Sequence, residues 1–243
     1  MTGRWLAPPP AVLPADRLPA RPVRHRVKVL HVITRLEAGA GANTLLSATG
    51  MDPERYDVWI AAGGRGALLE RADREGIQTV RMPEFRREVS PVRDAAVLIR
   101  LVRLIRAERF AVVHVHEAKA GFLGRIAAAM CGTPAVVYTL HGRDPWWRSA
   151  AGTGTELRDV MPHGLWLYSA LERTARPFAD AFVAVAPAIA RDAVQAGIAV
   201  PGRTHVAPSA VDVDTIPYDR DPSVRAELCI PPEASVVGMV ARL

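Results

Sequence analysis

The residues best suited to chemistry follow short apolar runs. The segment VVYTLHGRDPWW (136–147) is a run of strand formers that stops at His141 and Gly142 and continues through Arg143 into two tryptophans. A histidine at the end of a buried strand can hydrogen-bond a hydroxyl or a phosphate of a ligand, because it projects into the cleft at that edge of the sheet. On this pattern alone, a surface loop whose tryptophans pack beneath it is an equally good interpretation.

A second polar group ends another apolar run, in HVHEAKAG (114–121). Alternation along a strand places His114 and His116 on one side, and two histidines at this spacing can ligate a metal. No third or fourth ligand is evident nearby, so hydrogen-bonded structural histidines are the favoured interpretation and no metal is expected. Glu117 follows directly. Lys119, at the start of the next predicted helix, is a candidate contact for an anionic ligand.

A third candidate is the segment EAGAGAN (37–43), which follows the first apolar run. Backbone amides at Gly39 and Gly41 can approach a phosphate, helped by the positive end of the helix that follows, which we predict to begin at Asn43. Thr44 stands where the motif G-x-G-x-x-G requires its last glycine. An ordinary glycine-rich turn therefore fits the pattern as well.

The rest of the sequence predicts a scaffold for these segments. Strand-forming runs alternate with helical stretches, which predicts parallel strands joined by right-handed crossovers. The predicted strands are 27–33, 56–62, 77–82, 111–116, 134–140, 181–186 and 204–208. The fold class is α/β, a doubly wound parallel sheet. Ligands of such sheets bind at the carboxyl ends of the strands, where all three candidate segments lie.

The two ends of the chain depart from this alternation. Residues 1–26 are rich in Pro and Arg and predict a disordered tail, so the Rossmann-like domain is expected to span 27–215. In 216–243 a linker and a short helix (221–230) precede a new strand (234–243) that no helix follows. This pattern indicates a sequence cut off at the start of another domain.

Composition limits the classes of partner. The 243 residues carry a formal net charge of +6, but arginine supplies nearly all the positive charge and no aromatic–basic patch is present, so we expect no nucleic acid to bind. The two cysteines, Cys131 and Cys229, lie far apart, which is typical of free thiols in a reducing compartment. No run is long and apolar enough to span a membrane. We therefore expect a cytoplasmic protein.

An arginine-studded helix, predicted over 91–109, allows two interpretations. A helix that covers the sheet with one face and presents a solvated basic face is the commoner arrangement. A basic amphipathic helix can also lie on an anionic surface. The second interpretation predicts peripheral contact with the inner face of the cell membrane.

Together these segments resemble the amino-terminal half of a family 4 glycosyltransferase of the GT-B fold. The stretch 112–142 is similar to the family's segment H-x-H-x-x-K-A-G-x-x-G-R-x-A and its strand end T-x-H-G. The similarity extends to VLHVITRLEAGAGAN (29–43), to LERTARPFADAFVAVAPAIARDAVQAGI (171–198) and to THVAPSAVDVDTI (204–216). Enzymes that assemble surface polysaccharides are particularly similar.

The resemblance implies an activity and a set of roles. Such enzymes transfer a sugar from a nucleotide-sugar to a saccharide or lipid-linked acceptor, with retention of configuration and without a metal or other cofactor. Their amino-terminal domain binds the acceptor. The strand-end histidine, here His141, reaches the donor sugar, and the loop with Gly39 and Gly41 approaches the donor diphosphate. The residues expected at the acceptor or in the cleft are His116, Glu117, Lys119, Gly142 and Arg143.

The chain departs from the family pattern at three places. GAGAN (39–43) lacks the acidic residue that follows the glycines, SAVD (209–212) replaces Asn-Gly-Val-Asp, and the carboxy-terminal domain with its paired glutamates (E-x7-E) is expected to be absent beyond its first strand. We therefore expect this chain alone to be incomplete and inactive. One alternative is a non-catalytic acceptor-binding module that works with a separate donor-binding subunit, or an inactive truncated remnant. Another is a nucleotide-sugar epimerase of the same fold.

Overall fold

The computed structural model describes residues 26–142, 165–213, 222–231 and 233–237. The chain divides into two compact units, residues 1–210 and 211–243, and each is described by itself. The predicted tail lies outside the described residues except for Arg26.

The first unit alternates strands and helices along the chain. Its elements are β1 (Val27–Arg35), α1 (Ala38–Thr49), β2 (Tyr56–Gly63), α2 (Ala67–Arg74), β3 (Gln78–Arg81), α3 (Pro91–Glu108), β4 (Val112–His116), α4 (Ala118–Cys131), β5 (Ala135–Leu140), α5 (Leu165–Ala175), β6 (Ala181–Ala184), α6 (Pro187–Gln195) and β7 (Thr204–Val206). Every strand predicted between residues 27 and 208 is present, and the observed ends differ from the predicted ones by at most two residues.

The strands of the described residues form one parallel sheet in the order β3-β2-β1-β4-β5-β6-β7. This order confirms the doubly wound α/β class. The chain runs outward from β1 to β3, returns through α3, and then runs from β4 to β7 in the other direction. The strand order therefore reverses between β1 and β4, and in such sheets the ligand crevice opens at the carboxyl ends of the strands at that point.

The core lies on both faces of the sheet. On one face Leu30, Val32 and Val115 pack with the buried side of α3 and with α4. On the other face Ile33 and Ile60 belong to a second apolar cluster, to which α1 and α2 contribute Leu45 and Leu69. Strands buried on both faces read as continuous apolar runs, which is why the sequence pattern located them well.

Helix α4 lies unusually close to the sheet. A Cβ atom on Gly121 would be 2.7 Å from the ring of Tyr138, and one on Gly124 would be 2.5 Å from Cγ1 of Val115. Glycine inside a helix costs roughly 1 kcal/mol relative to alanine. Here the missing side chains allow the helix to approach β4 and β5, so this cost is offset by packing.

A buried ion pair ties α4 to α5. The Arg125 guanidinium lies 2.6 Å from Oε2 of Glu172 and 4.5 Å from the centre of the Tyr138 ring, and it donates to the Gly121 carbonyl. The side chains of Arg125 and Glu172 are 0% and 2% exposed. Burial raises the pKa of Glu172, and the charge of Arg125 opposes that rise. Each partner is therefore needed to keep the other one buried.

The start of α1 differs from the prediction. The glycine-rich segment was expected to form a turn with the helix beginning at Asn43, but α1 begins at Ala38 and contains both Gly39 and Gly41. Gly41 lies against the strand end, because a Cβ there would be 2.7 Å from the carbonyl carbon of Leu36. Glycine disfavours helices intrinsically, and the sequence pattern could not register this close approach.

The second unit contains one α-helix among its described residues, α7 (Pro222–Glu227). It falls within the helix predicted at 221–230. Residues 234–237 have no regular structure, and 238–243 lie outside the described residues. The strand predicted at 234–243 and the domain boundary at 215 therefore stay predictions.

Breaking the buried ion pair should destabilise the protein strongly. Arg125→Met leaves the Glu172 carboxylate buried without its partner, so we expect the free energy of unfolding to fall by about 3–5 kcal/mol. Urea unfolding followed by circular dichroism measures this loss. Arg103→Met, at an exposed arginine of α3, serves as the control and should change stability by less than about 0.5 kcal/mol. The pair R125M/E172M should recover part of the loss, and no recovery would contradict this explanation.

Candidate functional site

Neighbouring strands bring four histidines to one face of the sheet. In the parallel register His31 of β1 lies opposite His114 of β4, and His116 lies opposite Thr139 of β5. Side chains two residues apart along a strand share a face. His31, His114, His116 and Thr139 therefore share one face of the sheet. His141, the fourth histidine, follows β5 directly, lies two residues after Thr139 and lines the same face.

Hydrogen bonds join three of these residues into what we call the histidine chain: His31, His116 and His141. Nδ1 of His31 lies 2.9 Å from Nε2 of His116, and Nδ1 of His116 lies 2.9 Å from Nε2 of His141. His31 and His116 are each 1% exposed, whereas His141 is partly exposed. The histidine chain thus runs from the core to the carboxyl edge of the sheet.

His114 stands beside the histidine chain rather than in it. Its Nε2 lies 2.6 Å from the hydroxyl of Thr139, and its ring centre lies 4.2 Å from that of His116. It therefore packs against the central imidazole while its own hydrogen bond goes elsewhere.

Sequence reasoning missed His31. The available signal was a polar residue inside the apolar run VKVLHVI (27–33). Which strand lies beside β1, and which residue of β4 stands opposite position 31, depends on strand order and register. The local sequence pattern predicts neither strand order nor register.

Burial keeps these imidazoles neutral. Loss of solvation lowers the pKa of His31 to about 4 and that of His141 to about 4. Burial also lowers the pKa of His114 and of His116 well below the ordinary histidine value, and the neighbouring histidines lower both further. A neutral imidazole carries one N–H donor and one acceptor nitrogen, so each ring can donate once and accept once.

The histidines also form a candidate metal cluster. One nitrogen atom from each of His31, His114 and His116 lies within 4.8 Å of the other two. Two nitrogen ligands of one zinc ion lie at most about 4.2 Å apart, twice the usual Zn–N distance. The spacing is looser than a zinc site needs, and the short contacts are hydrogen bonds between rings. The expectation that no metal is required stays a prediction.

Glu117 occupies a strained turn between β4 and α4. Its φ is 62° and its ψ is 165°, a combination found almost entirely at glycine, and holding it costs on the order of 1–3 kcal/mol. Burial raises the pKa of its carboxyl, while the guanidiniums of Arg87 and Arg35 oppose the rise. Arg87 lies 3.8 Å away. The turn therefore holds a half-buried carboxyl directly after His116, the last residue of β4.

Lys119 has three oxygen contacts within the protein. Its ammonium lies 2.8 Å from the Arg86 carbonyl, 2.6 Å from the Glu88 carbonyl and 2.6 Å from Oδ1 of Asp94. These equal the three N–H donors of a lysine. Lys119 thus fastens both the segment before α3 and the first turn of α3 to the start of α4. Its expected role toward an anionic ligand stays a prediction.

The first turn of α1 opens at the same edge of the sheet. No side chain caps it, and no acidic residue lies in that turn. The first N–H groups of a helix have no partner inside the helix and form a site suited to anions. A Cβ on Gly39 would meet no atom within 4 Å, so the backbone is open to close approach there.

Two segments that depart from the family pattern contact each other. The N–H of Ala210 donates to Oδ1 of Asn43 at 3.2 Å. The stretch after β7 is thereby fastened to α1. Asn43 is one of the residues that stand where an acidic side chain was expected.

The remaining predicted residues are placed as follows. Gly142 is exposed, and a Cβ there would meet no atom within 4 Å. Arg143 lies outside the described residues. The structure therefore brings together His116, His141 and Glu117, with Gly142 beside them.

Comparison with known proteins identifies the family. The sequence model described as Glycosyltransferase Family 4 matches residues 38–215, which is well over half of the chain. The chain belongs to glycosyltransferase family 4. The resemblance in the 112–142 segment is thus confirmed.

Two curated relatives match over part of this family 4 chain. A UDP-Gal:alpha-D-GlcNAc-diphosphoundecaprenol alpha-1,3-galactosyltransferase of Escherichia coli is 32% identical over 118 residues, which cover 48% of this chain and 30% of that protein. An alpha-maltose-1-phosphate synthase of Mycolicibacterium smegmatis is 31% identical over 144 residues, which cover 56% and 34%. The matched regions thus span about a third of each relative.

Solved structures share the fold. Anabaena HepE in complex with UDP and glucose has a TM-score of 0.59 at 17% identity, over 84% of this chain and 50% of that one. A glycosyltransferase from Rickettsia africae has a TM-score of 0.54 at 13% identity, over 86% and 51%. These likenesses confirm the Rossmann-like architecture of a GT-B domain, and this family 4 chain covers about half the length of each structure.

Helix α3 presents the predicted basic face. Arg93, Arg103 and Arg106 are exposed, while its apolar side, with Val97 and Leu101, is buried against the sheet. Within the described ranges, no helix combines the length and apolarity that a membrane span requires. Both interpretations of α3 remain compatible with this arrangement.

Acid should destabilise the protein through the histidine chain. The unfolded state binds a proton at His31 below about pH 6.5, whereas the folded state resists this until about pH 4. Stability should therefore fall as the pH drops from 7 to 4, by on the order of 3 kcal/mol for this residue alone. Urea unfolding at a series of pH values measures the slope.

Two variants test the assignment of this slope. His31→Phe removes one titrating group at similar volume and should make the pH dependence shallower, while the other buried histidines still contribute. His205→Gln, at an exposed histidine of β7, should leave the slope unchanged. An unchanged slope in H31F would contradict the assignment.

Proposed function

We propose that this chain forms the acceptor-binding half of a retaining glycosyltransferase that moves a sugar from a UDP-sugar to a saccharide or lipid-linked acceptor. On this proposal, residues 27–215 form the acceptor-binding domain, and 216–243 begin the domain that binds the donor. No metal takes part. The enzyme works in the cytoplasm, with the basic face of α3 on the inner face of the cell membrane.

The histidine chain is the observation that carries this proposal. It ends at His141 on the carboxyl edge, beside the point where the strand order reverses, which is where ligands of doubly wound sheets bind. Nδ1 of His141 makes no hydrogen bond with a described residue. A neutral imidazole in this position can contact a hydroxyl or phosphate oxygen of a sugar nucleotide without the cost of burying a charge.

The first turn of α1 is the proposed site for the donor diphosphate. Its unpaired N–H groups carry the positive end of the helix dipole, and Gly39 leaves the backbone uncovered. Phosphate charge that develops as the sugar leaves would be stabilised there. This support is independent of the histidines.

The acceptor side is assigned to the β4–α4 turn. Glu117 is held there at a backbone cost, and such strain is concentrated at functional sites. The Escherichia coli relative is named for transfer to a diphosphoundecaprenol-linked N-acetylglucosamine with formation of an alpha linkage. That name supports a lipid-linked acceptor and, because UDP-galactose is itself alpha-linked, retention of configuration.

Replacing His141 tests the proposal. In the full-length protein, His141→Ala should lower the rate of sugar transfer at least about 100-fold, as loss of a hydrogen bond to a developing charge commonly does. The fold should persist, because His141 lies at the end of its strand. The assay follows labelled UDP-sugars transferred to an undecaprenyl-diphosphate-linked N-acetylglucosamine, and NMR of the product gives its anomeric configuration. Unchanged turnover would remove His141 from the mechanism.

The wild-type result separates the hypotheses. Transfer with retained configuration supports the enzyme. If the chain binds the acceptor but transfers no sugar, and transfer appears when a separate donor-binding subunit is added, the binding module is supported instead. An inverted product would overturn the retaining mechanism.

Replacing Gly39 tests the diphosphate site. Gly39→Ala adds a methyl group in open space, so the helix should remain intact, while the diphosphate is displaced. We expect the KM for the UDP-sugar to rise about 10-fold or more. Gly202→Ala, at another open glycine just before β7, is the matched control and should leave KM unchanged. Equal kinetics in both variants would place the diphosphate elsewhere.

A further inference from the structure

The order of donors and acceptors along the histidine chain is constrained as a unit. His116 uses both ring nitrogens, Nε2 toward His31 and Nδ1 toward His141. A neutral imidazole has one N–H and one bare nitrogen. If His116 donates to His141, it must accept from His31, and if it accepts from His141, it must donate to His31. The three rings therefore have two arrangements, which differ in the tautomer of every member.

The two arrangements differ at both ends of the histidine chain. In the first, His31 donates from Nδ1 and its Nε2 is bare, and His141 accepts at Nε2 and carries its proton on Nδ1. In the second, His31 must carry its proton on Nε2, and the Nδ1 of His141 is bare. The inner end and the cleft end are thus linked through His116.

The inner end favours the first arrangement. Nε2 of His31 is buried, and it has no hydrogen-bond partner within the part of the chain that the structure describes. The rings of His114 and His116 lie beside it, and the apolar cluster with Ile33, Leu45 and Ile60 lies on the same face. Among buried backbone groups, an N–H without a partner is rarer than a carbonyl oxygen without one, and a buried ring N–H likewise loses its hydrogen bond to water. A bare nitrogen at this position therefore costs less than an unpaired N–H.

We propose that the histidine chain fixes His141 as the Nδ1–H tautomer, so that it presents a hydrogen-bond donor to the sugar nucleotide, and that His31 and His116 are positioning residues for it. This inference rests on the proposed function for its substrate. It gives His141 one role, donation to an oxygen that gains negative charge during transfer. It excludes proton abstraction by Nδ1, because that nitrogen already carries a proton.

The tautomer can be measured without substrate. In protein labelled with ¹⁵N-histidine, near pH 7, the nitrogen chemical shifts show which ring nitrogen of His141 is protonated, and His141→Gln assigns the signals by their loss. We expect a protonated Nδ1 and a bare Nε2 at His141, with the same tautomer at His116 and His31. A protonated Nε2 at His141, or a mixture of the two forms, would overturn the proposal.

Variants of His116 test whether the buried ring sets this state. His116→Phe keeps the volume but donates nothing, so His141 should become a mixture of tautomers, and kcat should fall roughly 10-fold or more, as expected for loss of an outer positioning contact. His116→Asn places an amide N–H near the former Nδ1 and should restore the Nδ1–H form and recover kcat to within about threefold of wild type. An unchanged His141 spectrum in H116F would overturn the proposal.

His114→Phe is the matched control. It removes a second buried imidazole from the same face, but one that lies outside the histidine chain. The His141 signals and kcat should stay close to those of the wild type. If H114F changes the His141 tautomer as much as H116F does, packing rather than the hydrogen-bond order sets it, and the proposal is wrong.

The two proposals can fail separately. Absence of sugar transfer in the wild type would count against the proposed function, while the NMR result would still decide the tautomer. Transfer by a wild type whose His141 carries its proton on Nε2 would retain the function and overturn the inference. Because the spectrum of the wild type is informative alone, an H116F variant that fails to fold leaves the proposal open to disproof.

Discussion

An imidazole is buried in a protein core at least cost when it stays uncharged and its N–H group finds an acceptor. This constraint governs the centre of the sheet, where β1, β4 and β5 each contribute polar side chains to one face. Within the histidine chain the rings bond to one another across the strands, and no described residue bonds to the buried Nε2 of His31 or to the Nδ1 of His141 at the edge. The imidazole of His141 at the carboxyl edge is therefore the end of a network that begins in the core.

A second feature that shapes this edge is the close approach of α4 to the sheet. Gly121 and Gly124 bring this helix onto β4 and β5, and Arg125 with Glu172 fixes it to α5. In the turn that leads into α4, Glu117 takes a backbone conformation that suits glycine. Lys119, the second residue of the helix, contacts two carbonyl oxygens of the segment before α3 and the Asp94 carboxylate of α3. Glu117 and Lys119 thus lie at the start of a helix that is held close to the sheet.

The histidine chain, the start of α1 and the β4–α4 turn lie at one edge of a domain that belongs to glycosyltransferase family 4. This edge holds the neutral imidazole of His141, the uncapped start of α1 and the carboxyl of Glu117 on a strained backbone. These polar groups suit an oxygen-rich, anionic ligand rather than a hydrophobic one. The matched relatives extend well past the region they share with this chain.

The sequence by itself determined the parallel α/β class, the positions of the strands between residues 27 and 208, and the place of His114, His116 and His141 near strand ends. These follow from local patterns: apolar runs, helix signals and polar residues at run ends. Only the tertiary structure decided that His31 belongs with them, that the helix α1 begins at Ala38, and that Lys119 is engaged within the protein. Each of these depends on strand order, register or close backbone contact between distant residues, which a local pattern does not contain.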